Sequence, residues 1–178
     1  MKVLASKLTD CYIIEPKIFA DERGFFLETF QKSRYDELVG IKLPFVQDNH
    51  SHSKKGTLRG LHYQKTKPQG KLVRVVRGEV FDVAVDIRKD SKTFGEWESV
   101  ILSDKNKKQF WIPPGFAHGF LVLSDIVDFE YKCTEYYDYS DQLSIRWDDE
   151  DLSIPWPIEN PILSQMDANA PNFKDILL

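Results

Sequence analysis

Val80-Phe81-Asp82-Val83-Ala84-Val85-Asp86-Ile87-Arg88 is the stretch that decides the fold class. Phe81, Val83, Val85 and Ile87 share one face of it, and Asp82, Ala84, Asp86 and Arg88 the other. A period of two belongs to a β-strand with one side in a core. The carboxylate side then looks either at solvent or into a lined cavity. Runs of the same kind recur outward from it, at roughly 11–15, 24–30, 43–50, 57–64, 71–77, 97–103, 109–112, 117–123, 127–134 and 143–147. Gly, Pro, Asp and Asn separate them, and Arg77-Gly78 reads as a tight turn between two. One persuasive helix precedes the C-terminal region, over residues 32–39, carrying Tyr35, Leu38 and Val39 and stopped at Gly40. Pro155, Pro157, Pro161 and Pro171 punctuate a tail expected to wrap the body as extended coil, with one short helix. Many short strands and few helices predict an all-β protein, a jelly-roll β-barrel with short peripheral helices.

Composition narrows the class of function. A chain of 178 residues suits a single domain spanning 1–178. Twelve Phe, seven Tyr and four Trp favour sheet, where aromatic side chains pack on a half-buried surface. The net charge of −4 argues against nucleic acid as a partner, which would require a basic excess. It leaves room for a small anionic ligand held by a few converging Arg and Lys. Cys11 and Cys133 sit in strand-like runs and read as buried free thiols. The opening MKVLASKLTDCYIIE is too charged, and its apolar stretch too short, for a signal peptide. No apolar run approaches the roughly 20 residues of a membrane span. A cytoplasmic enzyme without a membrane partner is the expectation.

The chemistry-bearing residues form two groups. His50 and His52 alternate onto one strand face, and Pro114-Gly115-Phe116-Ala117-His118 resembles the second metal motif of the cupins. The first cupin motif, however, requires a Glu soon after its HxH pair. Here Ser53, Lys54, Lys55 and Gly56 follow, and no carboxylate appears until Glu79. Adjacent lysines oppose a cation, so no metal is expected. The second group is Leu58-Arg59-Gly60-Leu61-His62-Tyr63-Gln64, followed by Gln69-Gly70-Lys71. A lone strand histidine is ordinarily a satisfied polar residue. A bulge at Gly60 would instead turn Arg59 and His62 to one side, and with Lys71 on an adjacent strand they would form a cationic cluster. Such a cluster suits an anionic substrate whose reaction develops negative charge; a solvated patch is the rival reading. Tyr131 shares a face with Phe129 and Cys133, as a core tyrosine would, and donates a proton only if its hydroxyl reaches a cavity.

Several segments, in order, resemble the dTDP-4-dehydrorhamnose 3,5-epimerase family: Asp21-Glu22-Arg23-Gly24-Phe25-Phe26, Val46-Gln47-Asp48-Asn49-His50-Ser51 and Gly56-Thr57-Leu58-Arg59-Gly60-Leu61-His62. Gln69 to Val73, Gly78 to Val83, Ile112 to Phe120 and Tyr131 to Tyr137 continue the match, which covers about residues 10–172. The resemblance implies a metal-free, cofactor-free, cupin-like jelly roll, usually a homodimer with exchanged N-terminal strands. It implies inversion of C3 and C5 of a dTDP-linked 4-keto-6-deoxy sugar through enolates. In that scheme His62 is the base, Asp167 its partner, Lys71 faces the oxyanion with His118 nearby, and Tyr131 is the opposing acid. The implied binding set is Arg23, Phe26, Glu28, Gln47, Asn49, Arg59, Lys71, His118 and Gln142, with Arg23 and Glu28 reaching the partner subunit's site. Two positions depart from some relatives, which have Glu at Gln142 and Lys at Met166.

Other readings stay open on sequence grounds. Epimerisation at C3 or C5 alone would use the same residues. A 3,4-ketoisomerase fits the LRGLHYQ and PPGFAHGF segments less well. A metal-dependent cupin oxygenase and a non-catalytic sugar-binding jelly roll are the readings from other classes.

Overall fold

The computed structural model describes residues 1–176. Thirteen strands make two large antiparallel sheets and one separate hairpin. The six-stranded sheet runs β1 (Lys2–Ala5), β2 (Tyr12–Glu15), β10 (Gln109–Ile112), β7 (Lys71–Arg77), β12 (Ile126–Cys133) and β5 (Gln47–Lys54). The five-stranded sheet runs β13 (Gln142–Ser144), β6 (Leu58–Gln64), β11 (Phe116–Val122), β8 (Glu79–Asp86) and β9 (Trp97–Ser103). The hairpin pairs β3 (Ile18–Asp21) with β4 (Gly24–Leu27). This is the expected jelly roll.

Alternation along the strands distributes the apolar side chains over three layers. Between the sheets lie Val73, Val75, Val80, Ala84, Phe110, Phe120 and Phe129. Outside the five-stranded sheet, Phe81, Val83, Val85 and Ile87 meet Leu152, Ile154 and Trp156 of the tail. Outside the six-stranded sheet, helix α1 (Lys32–Leu38) lays Tyr35 against Ile14, Leu72 and Trp111. The two faces read from residues 80–88 are therefore both covered. The apolar one packs on the tail, and the one bearing Asp82 turns into the space between the sheets.

The tail wraps the body as expected. Trp97 Nε1 donates to the Leu152 carbonyl at 2.8 Å, and Trp156 Nε1 to that of Trp147 at 2.7 Å. Leu58 N–H donates to Ile162 O at 3.0 Å and Ile162 N–H to Gly56 O at 2.8 Å, stitching the tail to the start of β6. Helix α2 (Gln165–Ala168) follows at once.

Arg77-Gly78 is the expected tight link between two strands, and the strands it joins lie in different sheets, the six-stranded before it and the five-stranded after it. Gly78 has φ +85, and a Cβ there would lie 2.2 Å from the Ile126 carbonyl oxygen, so only glycine makes the crossing. Likewise β6 and β7, taken as adjacent, belong to opposite sheets, because residues 65–70 bridge the barrel. The run at 43–50 becomes a strand only from Gln47, and continues to Lys54.

Candidate active site

A cavity of about 330 Å³ opens between the sheets, and residues from both walls converge on it. Gln47, Asn49 and Ser51 come from β5, Lys71 from β7, and Phe129 and Tyr131 from β12. The opposite wall supplies Arg59 and His62 from β6, His118 and Phe120 from β11, and Gln142 from β13. Plain alternation would send Arg59 and His62 to opposite faces. Against β11 the register jumps from His62↔His118 to Arg59↔Phe120, a bulge that returns both side chains to the cavity. Gly60 permits it: φ is +126, and a Cβ there would stand 2.5 Å from Gly119 Cα.

His62 Nε2 lies 2.5 Å from Asp167 Oδ1. With Nε2–H donated to the carboxylate, Nδ1 carries the lone pair and can take a proton. Asp167 is buried, and Ser164 holds it twice: Ser164 Oγ donates to Asp167 Oδ2 at 2.8 Å and accepts from Asp167 N–H at 3.1 Å. Ser164 is thus both N-cap of α2 and aligner of the carboxylate. Its sequence signal is Ser-x-x-Asp before a short helix, a capping pattern. Ser164→Ala should lower Tm by about 2–4 °C for a cap of about 1 kcal/mol. It should also cut kcat by roughly tenfold, as the carboxylate loses its fixed angle. Calorimetry and steady-state kinetics check both, and an unchanged kcat would leave Ser164 a cap alone.

Across the cavity, the Lys71 ammonium has no hydrogen-bond or ion-pair partner among the described residues, and burial depresses its pKa. His118 is buried, its Nε2 2.9 Å from Asp82 Oδ2, and burial lowers its pKa too. Burial pushes Tyr131 up to about 12, so its hydroxyl keeps its proton through neutral pH. An unpaired cation, a carboxylate-backed imidazole and a protonated phenol around one space can accept, hold and return a proton next to a developing oxyanion.

Arg59 Nε donates to Ser53 Oγ at 3.0 Å while its side chain faces the cavity. Gln142 and Met166, the two positions the resemblance sets apart from some relatives, touch each other: Gln142 Nε2 lies 3.5 Å from Met166 Sδ. Arg23, Phe26 and Glu28 are not brought here. They lie on and beside the β3–β4 hairpin, where Arg23 pairs with Asp21 and Glu28 with Arg34, and Phe26 is 68% exposed. His50 and His52 do share a face, but it is the outer one, where both bond Asp128 and neither meets His118. Cys11 and Cys133 are buried free thiols. Sequence reasoning assigned no role to Asp82, Ser51, Phe120, Phe129, Tyr137 or Ser164. Inward alternation of β5, β8 and β12 was the available signal for three of them, Ser51, Asp82 and Phe129.

The family model for dTDP-4-dehydrorhamnose 3,5-epimerase matches residues 5–175. The chain belongs to this family. It is 56% identical to the dTDP-4-dehydrorhamnose 3,5-epimerase of Shigella flexneri over 176 residues, 98% of this chain and 97% of that protein. A dTDP-6-deoxy-D-glucose-3,5-epimerase from Legionella pneumophila, crystallised with dTDP-4-keto-L-rhamnose, superposes with a TM-score of 0.96. It is 57% identical, with 98% of this chain and 94% of that one covered. A 3′-monoepimerase from Streptomyces bikiniensis, in complex with dTDP-quinovose, is more distant. Its TM-score is 0.88 at 34% identity, covering 94% of this chain and 85% of that one. Nearness in the epimerase family therefore runs toward the double epimerases.

Proposed function

We propose that this chain inverts C3 and C5 of dTDP-4-dehydro-6-deoxy-D-glucose to give dTDP-4-dehydro-L-rhamnose, a step of dTDP-rhamnose biosynthesis. One observation carries the residue roles: His62 and Tyr131 stand on facing sheets around one cavity, so a sugar ring between them is approached from both sides. Both carbons lie α to the C4 ketone, and removing either proton gives an enolate. His62, aligned by Asp167, takes the proton; Lys71, with His118 beside it, faces the oxygen at C4; Tyr131 returns a proton from the opposite face. The ketone itself acidifies these protons, so the scheme calls for no cofactor.

Binding is proposed on the same footing. Arg59 suits the diphosphate through charge-assisted hydrogen bonds, and Gln47, Asn49 and Gln142 line the sugar's surroundings. Arg23, Phe26 and Glu28 act in trans, carried into the partner's cavity of a homodimer by the exposed β3–β4 hairpin. Support comes from that hairpin's lack of cover: Phe19, Phe25 and Phe26 are 52–68% exposed, an apolar patch of the kind that marks interfaces. A cytoplasmic setting belongs to the proposal and is supported by the two free thiols. No helix among the described residues is long and apolar enough to cross a membrane.

The test is turnover of dTDP-4-keto-6-deoxyglucose in deuterated water, read by NMR. Deuterium is expected at both C3 and C5. Label at C3 alone would make this a single-site epimerase, the second reading, for which the monoepimerase's fold is the supporting observation. Label at neither carbon would refute the enzyme reading.

A further inference from the structure

Strand β8 points two buried carboxylates inward, and they are equipped differently. Asp86 is saturated with donors: Arg88 Nε at 3.0 Å, Arg88 Nη2 at 2.8 Å, Ser91 Oγ at 2.5 Å and Thr93 Oγ1 at 2.6 Å. That is a carboxylate holding a loop. Among the described residues, the one side chain that bonds Asp82 is His118, whose Nε2 lies 3.1 and 2.9 Å from its two oxygens. It is fully buried, with Val80, Ala84, Val100 and Phe120 of the inner core around it. A carboxylate that poorly solvated is tolerated when a nearby cation balances it.

We propose that Asp82 is a positioning residue for the oxyanion side of the site: it orients His118 and holds the Lys71 ammonium in its charged form. The proposal rests on the epimerase reading and goes beyond it by assigning a role behind the cavity wall. Burial strips charge from Lys71, and the charged or titratable groups facing it are few. From β12 come Cys133 and Tyr131; burial raises both, so at neutral pH they are an uncharged thiol and phenol. Arg59 and His62 of β6 and His118 of β11 share the cavity and supply no negative charge. Asp82, from β8, sits directly behind His118, which lines the cavity together with Lys71, and is left as the carboxylate that acts on Lys71. The same carboxylate accepts Nε2–H of His118, which leaves His118 Nδ1 as the open nitrogen. One buried charge therefore sets both groups proposed to meet the substrate's C4 oxygen.

Asp82→Asn separates this from a purely structural role, because asparagine still offers an oxygen to His118 Nε2–H but no charge. An alkaline limb at a lower pH is expected. Between pH 7 and pH 9 the variant's kcat should fall roughly tenfold further than the wild type's does, as an ammonium that has lost its counter-charge titrates earlier. A pH profile that keeps the wild-type shape, with kcat merely scaled down, would overturn the proposal. Should the variant fold poorly, ¹³Cε-lysine NMR of the wild-type protein decides. Lys71 is expected at the ammonium shift at pH 7.5, and a neutral amine there would refute the charge-holding role. That titration uses no substrate, so it can fail while the deuterium test succeeds, or succeed while that test fails.

Discussion

His62→Ala is expected to lose deuterium exchange at C3 and at C5 together, by about 10²–10⁴-fold, the usual effect of removing one catalytic base. The joint loss follows from where the imidazole stands: His62, backed by Asp167, lies on the wall facing Tyr131. His118, the other cavity histidine, is buried against Asp82, and burial lowers its pKa, so it is the weaker candidate for a base. dTDP binding should be largely kept, since Arg59 lies elsewhere on the wall and hydrogen-bonds Ser53 rather than His62. Alanine also leaves the buried Asp167 without one donor, a cost of about 1–3 kcal/mol. His62→Asn, which retains a donor toward Asp167, should recover that stability without recovering exchange. Exchange at wild-type speed in either variant would require a different base.

The second large effect concerns two inactive chains that together make an active enzyme. Arg23→Ala/Glu28→Ala leaves His62 intact, and His62→Ala leaves the hairpin intact. If the β3–β4 hairpin completes the partner's cavity, a mixed dimer holds one site with both defects and one with neither. Random re-pairing of equal amounts then makes half the dimers mixed, so about a quarter of wild-type activity should return. Loss of the Arg23 contact alone should lower kcat/KM by about 10- to 100-fold, given hydrogen bonds to charged groups of about 1.5–3 kcal/mol. The measurement is kcat/KM after joint unfolding and refolding of the two chains. Activity equal to the mean of the parents would place both halves of each site in one subunit and end the proposal of a shared cavity.

What could be read in advance follows from how local each signal is. The period of two along residues 80–88 carries its own face assignment, and the jelly roll follows from repeats of that pattern. The inward row Gln47, Asn49, Ser51 was equally available, since nothing but alternation is needed to see it. The hairpin was half visible. Phe25 and Phe26 advertised a strand, but Ile18–Asp21 is exposed throughout and carries no burial pattern to betray its partner. Sheet membership was not legible either. Residues 59–71 look like neighbours, yet His62 and Lys71 face each other from opposite sheets, because a short link spans a barrel as readily as it closes a hairpin. Asp167 required the family resemblance; it lies 105 positions from His62, and no periodicity reaches that far. Asp82 was on the page as the polar side of the deciding strand, but its importance lies in what it lacks, and missing partners are seen only in three dimensions.

The stitch between the tail and β6 has a consequence for how the protein is made. All thirteen strands precede residue 145, and the carboxylate behind the base arrives only at Asp167, on α2. A nascent chain leaving the ribosome at about 5–20 residues per second has every strand of both sheets before it has that carboxylate. The barrel's architecture and the base's alignment are therefore separable in time. Activity in this protein reports that translation has passed Asp167, whereas sheet content does not.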